Sequence, residues 1–242
     1  MRLSHYPRLI AVLFVAFACG NVVASAEENP AAVPQSGMGA DWWRQRHESM
    51  NERVKQGNVD LLFIGDSITH AWESDGKDVW DKYYAKRNAV NLGIGGDQTQ
   101  HVLWRLQNGN IDGISPKLAV MMIGTNNSGH MTPEQIAGGV EAITQYLREK
   151  LPEMKILLLG IFPRGADNND RQRQVNAKAS EIFSKLADGT NVFYLDIGPK
   201  FLDAEGKLST ETMPDLLHLT PASYQIWADA IEPTVKELMG EK

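Results

Sequence analysis

Phe63-Ile64-Gly65-Asp66-Ser67-Ile68-Thr69 is the stretch that decides the fold. The apolar run VDLLFI leads up to Ile64 and stops at Gly-Asp-Ser. A continuous apolar run between Asn58 and Gly65 predicts a strand covered on both faces, as in a parallel sheet. Gly65 allows a sharp turn, so Ser67 falls at or near the start of the next helix, where free backbone N–H groups favour negative charge. Ligands of open α/β sheets gather at the carboxyl ends of the strands. The place therefore suits a serine that attacks a carbonyl. Helix capping is the commoner use of Asp or Ser there, and on this stretch alone it is the simpler reading.

Working outward, the same pattern repeats. Ala89–Leu92, Leu118–Ile123, Lys155–Phe162 and Asn191–Asp196 read as four more strands. Helices are expected near 78–86, 98–106, 133–150 and 169–187, and a closing one over 221–239. Thr132-Pro133 and Thr220-Pro221 each supply a cap followed by an N1 proline. Five alternations predict an α/β fold: a three-layer α/β/α sandwich on a five-stranded parallel sheet, flavodoxin-like. The basic and polar start of the 169–187 helix reads as a solvated face.

Ahead of the first strand, Asp41 is expected to cap a polar helix ending at Gly57, with Trp42 and Trp43 anchoring it. Residues 27–40 are rich in Pro, Gly and Ala and read as a flexible linker before a domain over 41–242. Residues 1–26 read as a signal peptide: Arg2 and Arg8, the apolar stretch Leu9–Ala18, then Ala24-Ser25-Ala26. That implies a secreted or periplasmic protein. The single cysteine, Cys19, lies inside this segment, so disulfides and thiol catalysis are not expected elsewhere. Cys19 as a lipidation site is the weaker alternative. Hydrophobic residues at 43% and charged residues at 22% are ordinary for a globular chain. The net charge of −6, with no basic run, argues against nucleic acid or an anionic membrane as partner.

Three further polar clusters follow strands or precede a helix. Gly93-Ile94-Gly95-Gly96-Asp97 lacks the spacing of a phosphate loop, but bare glycine N–H groups suit a developing oxyanion. In Gly124-Thr125-Asn126-Asn127, either asparagine would also fit a left-handed turn. Asp215 and His218 lie three apart before the last helix. The carboxylate can orient one imidazole nitrogen and leave the other free to take a proton.

In order, IGDSIT, GIGGD, GTNN and DLLHLT resemble the blocks of the SGNH hydrolases, the GDSL-like esterase superfamily. NLGIGGDQTQHVLWRL (Asn91–Leu106), Ile123–Asn127 and Phe162–Gly165 resemble the catalytic subunits of platelet-activating factor acetylhydrolase IB, which are intracellular. The resemblance implies Ser67 as nucleophile, His218 as base and acid, and Asp215 as its orienting group. It further implies an oxyanion hole from the N–H of Ser67, the N–H of Gly96 and the amide of Asn126, with no cofactor and no metal. The expected function is a secreted serine esterase for short acyl groups, acetyl foremost, acting on a small-molecule or carbohydrate ester. Ile68 and Leu217 flank the triad and are equally compatible with a small pocket and with the core. Two alternatives stand beside this: a lysophospholipase or thioesterase with a longer acyl groove, and a catalytically silent carbohydrate-binding domain. The resembled subunits pair, so a homodimer is compatible with the reading; stable membrane insertion is not expected.

Overall fold

The computed structural model describes Met1, residues 28–37 and residues 39–241. Apart from Met1, the expected signal segment lies outside the described residues, Cys19 included. Five parallel strands form one sheet: β1 (Leu61–Gly65), β2 (Ala89–Gly93), β3 (Leu118–Met122), β4 (Lys155–Leu159) and β5 (Val192–Leu195). Their order is β2-β1-β3-β4-β5, the flavodoxin-like order. β1 and β3 are buried along their whole length, which is why they read as unbroken apolar runs.

Among the described residues seven α-helices flank the sheet: α1 (Asp41–Lys55), α2 (Ser67–His70), α3 (Lys77–Tyr83), α4 (Thr99–Arg105), α5 (Pro133–Lys150), α6 (Arg171–Phe183) and α7 (Pro221–Met239). Right-handed crossovers put α4, α5 and α6 on one face, since β2, β3, β4 and β5 step across the sheet in one direction. The step from β1 back to β2 puts α3 on the other face, where it packs against α7. Thr132 and Thr220 cap α5 and α7 as expected, their hydroxyls accepting N–H bonds from Gln135 and Ser223. Beneath β1, Phe63 meets Trp72, Trp80, Tyr84 and Trp227 at ring-centroid distances of 4.6–6.3 Å. Burying such rings contributes about 1.5–3 kcal/mol each.

Several expectations need correction. Asp41 is the first helical residue and Ala40 its cap, so the carboxylate acts on the helix dipole rather than as a cap. Of the two anchoring tryptophans, Trp43 is buried and Trp42 is 54% exposed. α3, α4 and α6 each stop short of the expected end and continue as turns of another pitch. Arg173 and Asn176 of α6 are buried, not solvated, because Arg173 reaches the Gly206 carbonyl and Asn176 the Thr125 hydroxyl. The segment expected to be a flexible linker is docked where it is described: Ala31 is fully buried in a 3₁₀ turn at Pro30–Ala32, and Gln35 N–H donates to the Gln100 carbonyl. Proline and alanine there serve a packed turn, which composition alone does not distinguish from a tether.

Candidate active site

β1 ends at Gly65, in register with Gly93 of β2 and Met122 of β3, so three loops leave the sheet at one level. A side chain at Gly65 would put its Cβ 2.5 Å from the Met122 carbonyl oxygen and closer still to Thr69 Oγ1. Only glycine admits so tight a turn. Asp66 caps α2 by accepting the Ile68 N–H at 3.0 Å, and Ser67 opens that helix. From the far side, the Tyr224 hydroxyl of α7 donates to the Ile68 carbonyl at 2.6 Å and ties the turn to the closing helix.

The last loop brings its imidazole over this serine. Ser67 Oγ lies 2.9 Å from His218 Nε2, across 151 positions of chain. His218 Nδ1 lies 2.6 Å from Asp215 Oδ2. With the Nδ1 N–H donating to the carboxylate, Nε2 is left as an acceptor facing the serine hydroxyl. Local chemistry builds this pair. Asp215 Oδ1 accepts the N–H groups of Leu217 and His218 at 3.0 and 2.7 Å, closing a turn around Leu216, whose φ of +58° is unusual for a leucine. The Gly165 N–H bonds the Leu216 carbonyl at 2.9 Å and holds that strained residue in place. Desolvation works against the Asp215 charge. The His218 N–H, the imidazole and the Leu217 N–H outweigh it and hold the carboxyl below the usual carboxylate range.

The two expected donors sit on the neighbouring loops. Gly96 is exposed, with φ +76°, a value that favours glycine. Asn126 is half-buried, and its Nδ2 donates to the Asp97 carbonyl at 2.9 Å. An amide nitrogen carries two protons, so one remains for a ligand while the other fixes the side chain. Neither Asn126 nor Asn127 is left-handed; Gly124 takes the positive φ of that turn. Ile68 is core rather than pocket, 1% exposed, while Leu217 is half-buried. A cavity of about 590 Å³ lies between α6 and the end of β5, and none of Ser67, Gly96, Asn126, Asp215 or His218 lines it. Among the described residues no group of His, Cys, Asp and Glu is arranged to hold a metal ion.

Sequence reasoning missed the buried polar frame beneath these donors. Asp97 and Arg105 are both fully buried and paired through Arg105 Nε and Asp97 Oδ2 at 2.7 Å. Trp43 Nε1 donates to the other Asp97 oxygen at 2.6 Å, and Arg105 also reaches Asn110 Oδ1 at 2.7 Å and the Gly65 carbonyl at 3.3 Å. One ion pair thus touches the turn before Ser67 and the loop of Gly96. The signal for it was present: Arg105 falls on the helical stripe of Val102 and Leu106, where a cation is out of place unless buried and paired. Asp66 is buried beside Asp97, with Oδ2 taking no partner. Burial pushes its carboxyl up to about 7, the Ile68 N–H opposing and the Asp97 charge reinforcing the shift.

Residues 63–226 match the model of the GDSL-like lipase/acylhydrolase family. The chain is 37% identical over 223 residues to platelet-activating factor acetylhydrolase IB subunit alpha2 of Rattus norvegicus, covering 90% of this chain and 96% of that one. To subunit alpha1 of Homo sapiens it is 36% identical, covering 90% and 94%. A GDSL-like lipase from Bacteroides thetaiotaomicron has the same fold, with a TM-score of 0.62 at 18% identity over 80% of this chain and 97% of the other. These relatives correct the expectation of a secreted or periplasmic protein. They are the intracellular subunits of the resemblance, matched over nearly the whole chain. An apolar run before Ala-Ser-Ala is a compositional feature and does not by itself specify a destination. Among the described residues no helix is long and apolar enough to cross a membrane.

Proposed function

Because the chain belongs to the GDSL-like lipase/acylhydrolase family and is an ester hydrolase, we propose that it removes short acyl groups, acetyl foremost, from oxygen esters through a covalent acyl-enzyme. Ser67 Oγ attacks the ester carbonyl while His218 Nε2 takes its proton, and Asp215 stabilises the imidazolium. The tetrahedral oxygen is held by the N–H groups of Ser67 and Gly96 and by the free amide proton of Asn126. Each such donor is worth on the order of 10²–10³ in kcat. His218 then gives its proton to the departing alcohol, and a water, activated by the same nitrogen, releases the acid and restores Ser67. The observation that carries this reading is the continuous line from Ser67 Oγ through the imidazole to Asp215, at 2.9 and 2.6 Å. The acetylhydrolase names of the 36–37% identical relatives support the short acyl group.

The test is hydrolysis of p-nitrophenyl esters from acetate to palmitate. Rates highest at acetate support the proposal. A peak at eight carbons or beyond shifts the assignment to the lysophospholipase or thioesterase reading. No hydrolysis of any ester, with Ser67→Ala indistinguishable from wild type, leaves a binding domain. A protonated imidazole cannot take the serine proton, so activity is expected to fall as the pH is lowered, and a flat profile contradicts His218 as the base. Pairing with a second copy is a separate expectation, read by light scattering.

A further inference from the structure

Two consecutive glycines, Gly138 and Gly139, stand in the interior of α5. Each costs about 1 kcal/mol relative to alanine at such a position, so a reason is required. A Cβ at Gly138 would stand closer to Asn29 Nδ2 than any van der Waals contact allows, and one at Gly139 would lie 2.5 Å from Thr99 Oγ1 and 2.6 Å from the Ala31 carbonyl oxygen. The pair is a notch, and the segment before α1 lies in it. Asn29 Nδ2 donates to the Gln135 carbonyl at 2.9 Å, its Oδ1 accepts the Ala31 N–H at 3.0 Å, and the Gln35 N–H reaches the Gln100 carbonyl at 3.1 Å.

Thr99, fully buried at the start of α4, is where this segment meets the site. Its Oγ1 donates to the Ala31 carbonyl at 2.8 Å and accepts from Asn127 Nδ2 at 3.2 Å. Its N–H donates to Asn127 Oδ1 at 3.2 Å. Gln98 Nε2 donates to the Asn126 carbonyl at 3.3 Å, and Asn126 Nδ2 returns a bond to the Asp97 carbonyl. The loops of Gly96 and Asn126 are therefore laced together over three residues of α4's entry, and the docked segment closes the lacing from outside.

We propose that Thr99 is a positioning residue for the Gly96 and Asn126 loops and that residues 29–35 are a strap in cis that completes its setting. The inference rests on the acyl-transfer reading and adds to it the group that sets the geometry of its donors. Since an oxyanion exists in the transition state and not in the bound ester, a slack lacing lowers kcat and leaves KM nearly unchanged. A misplacement of about 1 Å can cost on the order of 10²-fold.

The experiment compares Thr99→Val, Thr99→Ser and Gly139→Ala in the full chain, with p-nitrophenyl acetate kinetics, circular dichroism and amide exchange over residues 29–35. Thr99→Val removes the hydroxyl at similar shape and is expected to lower kcat about 10- to 100-fold with KM within about twofold. Thr99→Ser keeps the hydroxyl and is expected to stay within a few-fold of wild type. Gly139→Ala is expected to speed exchange over 29–35 and to lower kcat likewise. A folded Thr99→Val with wild-type kcat, a Thr99→Ser that falls as far, or a released strap with unchanged kcat overturns the inference. Should Gly139→Ala not fold, the Val and Ser pair still decides. Wild-type protein inert to every ester sinks the esterase reading and this inference with it, whereas active wild type with an unaffected Thr99→Val sinks this inference alone.

Discussion

The two sides of the site around Ser67 are built in opposite ways. On the imidazole side the construction is local: Asp215 closes its own turn, orients His218 three residues on, and stays more than half exposed, with 55% of its side chain open to solvent. On the donor side it is distributed. Gly65, Gly96 and Asn126 come from the ends of three strands and are held by Asp97, Arg105, Trp43, Thr99 and Asn127, all buried. A local device tolerates solvent, because short chain separation holds it at little entropic cost. A distributed one needs burial, because only close packing and strong hydrogen bonds in a low-dielectric interior fix groups so far apart in sequence.

Removing the atom both sides serve has the largest expected effect. Ser67→Ala is predicted to lose kcat by on the order of 10⁵-fold or more in steady-state ester hydrolysis, with the fold intact by circular dichroism. A residual rate near wild type breaks the comparison at its root. Next, Asn126→Ala is predicted to lower kcat by on the order of 10²–10³, with KM little changed. An equal rise in KM instead would show Asn126 binding the ground state.

Stability separates the sides more sharply than rate does. Arg105→Met leaves Asp97 buried and uncompensated, at an expected cost of about 3–5 kcal/mol in urea unfolding. Asp215→Ala removes a turn acceptor at the surface and is expected to cost only about 1 kcal/mol while abolishing most activity. If the two variants unfold at the same urea concentration, the contrast between buried frame and exposed loop is wrong.

The last contrast is in pH dependence. Asp66 releases its proton near 3.8 when unfolded and at about 7 when folded, so between those values the folded state binds more protons. Stability from this group is therefore full below about pH 4 and is lost as pH rises through about 7. Asp66→Asn stays neutral, so its urea midpoint should gain on wild type as pH is raised across that window. Parallel curves would show that the Asp66 carboxyl titrates normally.

What the sequence made legible follows the same division. Apolar runs and cap-proline pairs identified the sheet and the helices α5 and α7, because strand burial and helix starts are short-range signals. The closeness of Asp215 and His218 was legible for the same reason, the two lying three apart before a capped helix, whereas their roles came only from the family resemblance. Arg105 and Asp97 were not singled out, since a charge reads as solvated until the partner that buries it is known. The strap over 29–35 was opaque for a related reason: Pro, Ala and Gly suit a loose tether and a packed turn alike. Only the notch at Gly138 and Gly139 tells them apart, and it lies more than a hundred residues away in sequence. Arg173 and Asn176 illustrate the same limit on α6, where polar residues at helical spacing turn inward to bond Gly206 and Thr125.

The central claim is that Ser67 is a nucleophile activated by His218, and covalent labelling reads it most directly. Treatment with a fluorophosphonate, followed by intact-mass and peptide mapping, is predicted to give one adduct, on Ser67, and to give almost none in His218→Ala. An adduct on another residue, or ester-hydrolysing protein that takes up no label, would contradict the account.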